Sequence, residues 1–462
     1  MIPMSMMGKK GLRIIIVGCG KVGNTITEQL VREGHDITLI DKNADKISVS
    51  TGLYDVMGVV GNGASLRVQI EAGIDGSDLL IAVTDSDELN LLCCTVAKHA
   101  GDCAAIARVR DPDYSRESAY LQEKLGLAMI INPELESALE ASRILALPKA
   151  LEVNAFAHGQ AELIKIKVGE ESALCDMPVM NIGKKTKDTL ICAVERGGEV
   201  HIPSGSFVIK ENDLVSFVVP RRRAKATLSA LGLKTGQVRD CMIIGGGKGS
   251  YYLTRQLLDM GVSVKIIERD KKRCEELTVL LPDAVIINGD GTNEDLLREE
   301  GIEYAESFVP LTGMDEENVL LTLYAKQMGK AKAITKINRI GFKPVLESLD
   351  LGSVIYPKYI TSEAIIAYVR AKKNSMGSNI ETLYHMYDSR VEAIEFQIGA
   401  NSPVVGQSLR ELNLKRDLLI AFINRNGRIL IPSGSDEIHV GDTVMIVTTH
   451  SGFNDIGDIL ER

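Results

Sequence analysis

Residues 13–41 read RIIIVGCGKVGNTITEQLVREGHDITLID, and this stretch decides the fold. Ile14 to Val17 form an apolar run, followed by glycines at 18, 20 and 23, an amphipathic pattern (Val22, Ile26, Leu30), a stop at Gly34 and a second apolar run ending on Asp41. The order strand, glycine turn, helix, strand has a mechanical meaning. Gly18 permits the tight turn out of the strand, Gly20 lets a phosphate approach the backbone where a Cβ would block it, and Gly23 lets the helix pack closely on the sheet. Cys19, Lys21 and Val22 lie between these glycines, where the helix directs its first amides at an anion. Asp41 lies 18 residues past Gly23, at a strand end where a carboxylate can accept from both hydroxyls of a ribose. A glycine turn that serves only tight packing in an α/β sheet is the alternative.

Outward from this unit, the chain continues as strands alternating with helical patterns. Strand Val56–Val60 breaks at Gly61-Asn62-Gly63, Ser65 is expected to cap a helix through Ile70, and strand Leu79–Val83 ends in Thr84-Asp85. Both strand ends face the ligand crevice of a parallel sheet. Helix Glu88–His99, strand Ala104–Arg110, helix Tyr114–Leu125, strand Met129–Ile131 and a helix opened by Pro133 complete a doubly wound, Rossmann-like pattern. Beyond Pro148 the pattern changes to short strands and turns from Glu162 to Pro220, a small α+β domain too short to be the substrate domain of a dehydrogenase. Arg221 to Leu231 reads as a basic helix joining the two halves of the chain.

The second half repeats the first. IIIVGCGKVG at Ile14–Gly23 returns as CMIIGGGKGS at Cys241–Ser250, and Asp41 plus the same offset of 227 is Glu268. VVGNGAS at Val59–Ser65 matches IINGDGT at Ile286–Thr292, AVTDSDELN at Ala82–Asn90 matches PLTGMDEEN at Pro310–Asn318, and HIPSG at His201–Gly205 matches LIPSG at Leu430–Gly434. The chain is therefore expected to be a tandem duplication of a two-domain unit: a Rossmann-like sheet at 12–148 with a small α+β domain at 151–220, then a second pair at 239–370 and 386–457.

Composition excludes several classes. With 462 residues, 45% hydrophobic and 25% charged, the chain can bury sizeable cores. A net charge of −9, no Trp and 4% aromatics argue against nucleic acid or an anionic membrane surface as partner. No apolar run approaches the ~18 residues of a membrane span, no signal peptide is read at the N-terminus, and a cytoplasmic location is expected. The eight cysteines form no CxxC pair and suit buried reduced thiols, and the scattered histidines give no metal-ligand spacing.

Candidate ligand residues in the first copy are Gly18, Cys19, Gly20, Lys21, Val22, Gly23, Asp41, Gly61, Asn62, Thr84, Asp85 and Arg108. In the second they are Gly245, Gly247, Lys248, Glu268, Gly289 and Asp290. Thr84 and Asp85 can contact ligand or serve the turn; Asp87 and Glu88 are expected to cap the following helix. Arg108 lies between apolar neighbours, where a charge needs a partner; a nucleotide phosphate and an internal salt bridge are both open. His35 and His99 are read as surface or capping groups, so no acid/base group for hydride chemistry is evident. In the second copy Ser250 replaces the third glycine, Gly313 replaces Asp85 and Lys336 replaces Arg108, so binding there is expected to be weaker or differently selective. The acid in both copies disfavours a 2′-phosphate, pointing to NAD or adenine nucleotides over NADP.

IVGCGKVG with Asp41, VTDSDELN, IARVR at Ile106–Arg110 and the twin PSGS segments, expected as hairpins, resemble the TrkA family over essentially the whole chain, from Arg13 to about Gly457. These are peripheral cytoplasmic regulatory subunits of Trk potassium-uptake systems, built from RCK (regulator of conductance of potassium) domains. The resemblance implies NAD(H) or adenine nucleotide (ATP/ADP) in the Rossmann-like domains, a homo-oligomeric ring expected as a tetramer, a membrane potassium channel subunit of Trk type as partner, and no catalytic reaction. An NAD-dependent oxidoreductase of unusual build and a regulatory module of a cation/proton antiporter are the competing readings.

Overall fold

A computed structural model describes residues 11–101, 103–170, 172–186, 188–233, 236–338, 343–373 and 379–461. The first apolar run forms β1 (Arg13–Val17), in which Ile14 to Val17 are all buried. It is apolar on both sides because helices cover both faces of a parallel sheet. Then come α1 (Lys21–Arg32), β2 (Asp36–Asp41), α2 (Ala44–Tyr54), β3 (Met57–Val60), α3 (Leu66–Glu71) and β4 (Leu79–Ala82). α4 (Asp87–Ala100), β5 (Ala104–Arg108), α5 (Pro112–Arg116), α6 (Ser118–Leu125), β6 (Met129–Ile131) and α7 (Pro133–Ala146) come next. The helix expected over Tyr114–Leu125 is thus two helices, and β5 ends at Arg108: Val109 still donates to the Ile131 carbonyl of β6, but the amides of Arg110 and Asp111 turn to Asp87.

The six strands run in the order β3-β2-β1-β4-β5-β6, all parallel. Strand order reverses between β1 and β4, so the carboxyl ends of these two strands open the crevice where such sheets take ligands. Val17 is level with Ile40 on one side and Ala82 on the other, which sets Gly18 between the ends of both neighbours.

The first small domain has β7 (Glu152–Phe156), β8 (Ala161–Lys167), β9 (Leu190–Arg196), β10 (Glu199–His201) and β11 (Leu214–Pro220) in the antiparallel order β10-β9-β11-β8-β7. The basic segment after it is not a free linker. A 3-10 turn at Arg221–Arg223 leads into α8 (Ala224–Ala230), whose Ala224, Thr227 and Leu228 are buried, while Arg221 lies 3.7 Å from Glu162 and Arg223 3.3 Å from Asp188.

The second copy repeats both parts. β12 (Asp240–Ile244), α9 (Lys248–Asp259), β13 (Ser263–Glu268), α10 (Lys271–Leu280), β14 (Val285–Asn288) and α11 (Glu294–Glu299) come first. β15 (Ser307–Pro310), α12 (Asp315–Met328), β16 (Lys332–Lys336), α13 (Lys343–Ser348), β17 (Ser353–Ile355) and α14 (Pro357–Lys373) complete a sheet ordered β14-β13-β12-β15-β16-β17. β18 (Asn379–Met386), β19 (Val391–Gln397), β20 (Leu418–Arg425), β21 (Arg428–Leu430) and β22 (Thr443–Thr448) form the last sheet, ordered β18-β19-β22-β20-β21. Two Rossmann-like parallel sheets, each followed by an antiparallel sheet, are the α/β architecture expected from the repeat.

The PSGS segments are not hairpins. The tight turns between paired strands fall at Gly197-Gly198 and Asn426-Gly427, all with positive φ. PSGS comes after them as a loop held by its own serines, such as Ser433, whose hydroxyl donates to Asp436 at 2.7 Å.

By packing, the chain divides into two compact units, one from the chain up to Glu136 with Pro357–Ile366, the other from Ser137–Tyr356 with Ala367 onward. Within the second unit the two antiparallel sheets share one core, in which Phe156, Leu163 and Val218 lie in the same cluster as Met386, Phe422 and Val447. Lys332 donates to the Ala150 carbonyl at 2.5 Å and Ser353 to the Leu151 carbonyl at 2.6 Å, so the second parallel sheet is tied to the lead-in of the first small domain.

Candidate functional site

The glycine turn between β1 and α1 is a set of close approaches. Gly18 has φ +108 and its amide donates to the Ile40 carbonyl at 2.8 Å; a Cβ there would sit 3.1 Å from the Val83 and Thr84 backbone. A Cβ on Gly23 would lie 1.9 Å from the Gly18 carbonyl oxygen. Gly20 differs, since a Cβ on it would meet nothing within 4 Å, and so it fronts open space. α2 and α4 have side-chain caps from Asn43 and Ser86, whereas α1 starts with no side-chain cap and no acid in its first turn. Its first amides are the ones an anion can take. Lys21 is exposed and Val22 half-buried beside them.

On one side of this turn stands Asp41. Its Oδ2 accepts from the Cys19 amide at 2.8 Å and its Oδ1 from the Asn43 amide at 2.9 Å. The carboxylate therefore ties the glycine turn to the start of α2. Cys19 contributes its backbone here; its thiol is buried against Ser50 and pushed up to about 11, by burial first and the Asp41 charge second. Gly61 donates to the Asp41 carbonyl at 3.0 Å, while the Asn62 side chain is occupied within its own turn, accepting from Ala64 at 3.1 Å. Ser65 stands at the start of α3, but its hydroxyl makes no capping bond.

On the other side are the ends of β4 and β5. Arg108 is 7% exposed and donates to the Thr84 carbonyl at 2.6 Å, with the Asp85 carboxylate 3.5 Å away. The Asp85 side chain is fully exposed, so that pair is weak. The Arg108 Nε is buried with no hydrogen-bond partner among the described residues. Burial lowers the pKa of this guanidinium, with Arg110 the next cause. The salt-bridge explanation for Arg108 is thus only partly met, and a free donor is left over.

The capping expected of Asp87 and Glu88 falls to Ser86, whose hydroxyl accepts from the Leu89 amide at 3.1 Å. Asp87 is buried and accepts from the amides of Arg110 and Asp111 at 2.8 and 2.7 Å. Glu88 accepts from the Ser86 and Tyr114 hydroxyls, and its own amide first, then these two hydroxyls, hold its carboxyl below the usual range. His35 is not a surface group; it is buried and its Nδ1 accepts from the Leu12 amide at 3.0 Å. Sequence reading also passed over Asn90, fully buried at the centre of this region. The signal was present, because DELN and DEEN place an asparagine at the same step of both copies.

The second site has the same frame with altered parts. Gly245 has φ +94 and donates to the Ile267 carbonyl at 2.8 Å, Gly247 opens α9 with no side-chain cap, and Lys248 is its first residue. Glu268 accepts from the Gly246 and Asp270 amides at 2.6 and 2.7 Å, as Asp41 does in the first copy. Ser250 is fully buried and its hydroxyl donates to the Gly245 carbonyl, the atom a Cβ on Gly23 would strike in the first copy. The second turn has opened enough to admit a side chain. Gly246 and Leu277 take the places of Cys19 and Ser50, and a Cβ on Gly246 would lie 2.6 Å from Leu277, so the larger neighbour requires the smaller turn residue. Gly289 donates to the Glu268 carbonyl at 2.9 Å, and Asp290 accepts from the Thr292 amide and hydroxyl, which lower its pKa. Lys336 reaches the Leu311 carbonyl at 3.3 Å. No group of metal-ligating side chains occurs among the described residues.

Two Rossmann-like sheets with an acid-and-glycine crevice, each followed by a small antiparallel sheet, define a tandem nucleotide-fold protein. Its segments 14–133 and 241–357 match the TrkA-N domain, and 163–232 and 393–461 match the TrkA-C domain. The chain is 31% identical to Trk system potassium uptake protein TrkA homolog 1 of Methanosarcina mazei, over 96% of this chain and 99% of that one. It is 30% identical to Trk system potassium uptake protein TrkA of Haemophilus influenzae, over 94% and 95%. The chain belongs to the TrkA family. Among solved structures, the GsuK RCK domain superposes with a TM-score of 0.64 at 18% identity, covering 96% of this chain and 93% of that one; the GsuK channel bound to NAD gives 0.63 at 18%, covering 96% and 77%. These likenesses establish the tandem RCK fold. These relatives are named as Trk system potassium uptake proteins and the neighbouring structure as an RCK domain, none of them as an enzyme. Among the described residues no helix is long and apolar enough to cross a membrane.

Proposed function

We propose that this chain is a nucleotide-sensing subunit of a potassium-uptake system, binding NAD(H) or ATP/ADP in the crevice of its first parallel sheet and thereby gating a membrane channel subunit of Trk type. The observation that carries this is the pairing of Gly20, which faces open space beside uncapped helix amides, with a carboxylate at the end of β2. Phosphates suit the first feature and a ribose the second. Gly18, Cys19, Gly20, Lys21, Val22, Gly23, Asp41, Gly61, Asn62, Thr84, Asp85 and Arg108 make up the proposed site, with Gly245, Gly247, Lys248, Glu268, Gly289 and Asp290 its counterpart. GsuK, of the same fold, has been solved bound to NAD and to ADP. The proposed domain limits are 12–148, 151–220, 239–370 and 386–457.

A ligand shifts a regulator only through its differential affinity for two states. The crevice lies where strand order reverses, so nucleotide changes the geometry of a homo-oligomeric ring, proposed as a tetramer seated on the inner face of the membrane against the channel subunit. Calorimetry on the full chain with NAD, NADH, ATP and ADP, joined to small-angle scattering with each ligand, tests this. Binding of none of the four, or one scattering curve for all with no association with a Trk-type channel subunit, refutes it. Full-length protein is required. A cut at residue 231 would strip the shared core around Phe156 and Phe422.

A further inference from the structure

The asparagine that both copies share has every hydrogen-bonding valence in use. Asn90 Oδ1 accepts from the Thr84 amide at 2.8 Å and the Thr84 hydroxyl at 2.7 Å, while its Nδ2 donates to the Arg108 carbonyl at 2.9 Å and the Thr84 carbonyl at 3.2 Å. A carboxamide offers two donors and two acceptor lone pairs, and all four are met by the ends of two adjacent strands. The Thr84 carbonyl receives the Arg108 guanidinium as well. Asn318 repeats the arrangement, accepting from the Thr312 amide and hydroxyl at 3.0 and 2.9 Å and donating to the Lys336 carbonyl at 3.0 Å. In both copies the residue whose carbonyl is held carries a cationic side chain.

We infer that Asn90 is a positioning residue of the first nucleotide site, fixing Thr84 and Arg108 relative to each other so that the site responds to the phosphates of its ligand; this rests on the nucleotide reading above. Arg108 is the buried cation with a donor to spare, and its backbone position is set by the Asn90 amide on one side and by the ladder to β6 on the other. Asp87 on the same helix holds Arg110 and Asp111, two and three residues further on, by their amides. The first turn of α4 thus acts as a template for the end of β5. Neither aspartate nor leucine can replace the carboxamide, since aspartate lacks the donors for two carbonyls and leucine lacks everything.

The test uses the full chain and the series AMP, ADP and ATP. In Asn90→Ala, ADP and ATP affinities fall by at least about tenfold, the equivalent of one charge-assisted bond, while AMP changes by less than about twofold and the ATP-to-ADP ratio moves toward one. Thr84→Val removes the hydroxyl given to Asn90 at 2.7 Å, together with its longer contacts to the Ser86 backbone at 3.3 and 3.4 Å, and shifts the same ratio in the same direction by a smaller amount, which covers the case in which Asn90→Ala fails to fold. Asn318→Ala, with the same bonds in the second copy, leaves the first-site ratio unchanged and controls for general destabilisation. An unaltered phosphate dependence in Thr84→Val and a folded Asn90→Ala, or equal losses for all three ligands, overturns the inference alone. Absence of binding by the unmodified protein overturns the nucleotide reading and this inference with it.

Discussion

Replacing Asp41 by alanine removes two structural bonds and, by our reading, two ligand bonds, and the two effects separate by measurement. The carboxylate accepts from Cys19 and Asn43 amides at 2.8 and 2.9 Å. It offers roughly four lone-pair sites, so about two remain for the 2′- and 3′-hydroxyls of a ribose. Hydrogen bonds to a charged group contribute roughly 1.5–3 kcal/mol each. Asp41 is only half-buried, so the lower figure applies, and two ribose bonds amount to about 3 kcal/mol, or roughly 100-fold in Kd. Loss of the two amide bonds leaves the buried Cys19 amide unsatisfied and costs about 1–3 kcal/mol in stability. Titration calorimetry of full-length Asp41→Ala with ATP and NADH is expected to show Kd raised at least tenfold, and denaturant unfolding a smaller free energy. A folded Asp41→Ala that binds with unchanged affinity while losing stability would refute the ribose role and reduce Asp41 to a staple for the turn.

The neighbouring glycines separate packing from ligand access: Gly20→Ala should leave stability within about 0.5 kcal/mol and abolish nucleotide binding, whereas Gly23→Ala, with its Cβ 1.9 Å from a carbonyl oxygen, should destabilise the first sheet by about 1–3 kcal/mol or more. Normal binding by Gly20→Ala, measured by calorimetry, would contradict the phosphate approach. In the second unit Glu395 is buried, accepting from the Ala157 amide at 2.9 Å and the Thr382 hydroxyl at 3.0 Å, with Glu381 and His158 nearby, and burial above all pushes its carboxyl up to about 7. The folded chain then holds a proton that the unfolded chain has released, so this group's contribution is complete below pH 4.5 and is lost as pH rises through about 7, a change of about 3 kcal/mol. Unfolding measured from pH 5 to 8 should show this fall, and Glu395→Gln should flatten it; an identical slope in the variant would refute the assignment. Arg370 and Glu392, both buried and bonded twice at 3.1 Å, should cost about 3–5 kcal/mol when either partner alone is removed, and Arg370→Met unfolding as readily as the unmodified protein would argue against it.

Much of the fold was legible because its signals are local. A glycine turn, an apolar run covered on both faces and an acid at a fixed distance are properties of consecutive residues, and duplication shows in the sequence at offsets of 227 to 229. The same locality explains the misses. His35 was read as a surface or capping group because nothing nearby reveals that Leu12 gives it an amide, and Arg221–Leu231 as a basic linking helix because its arginines conceal a buried face of Ala224, Thr227 and Leu228. Asp87 carries every local mark of a capping residue, yet its carboxylate is taken by amides 23 and 24 residues away.

The sequence by itself determined two Rossmann-like units with small α+β partners, the turn glycines, and the paired acids Asp41 and Glu268. Tertiary structure alone decided which of these groups are already engaged: the carboxylates by turn amides, Thr84 by Asn90, and Arg108 in part by a carbonyl. It also decided that Ser250 fits where Gly23 is needed, and that the two small sheets close over one core. The physical reason is that a strand end or a domain face becomes an environment only when segments distant in the chain are packed against it, and hydrogen-bond satisfaction and burial are properties of that packing.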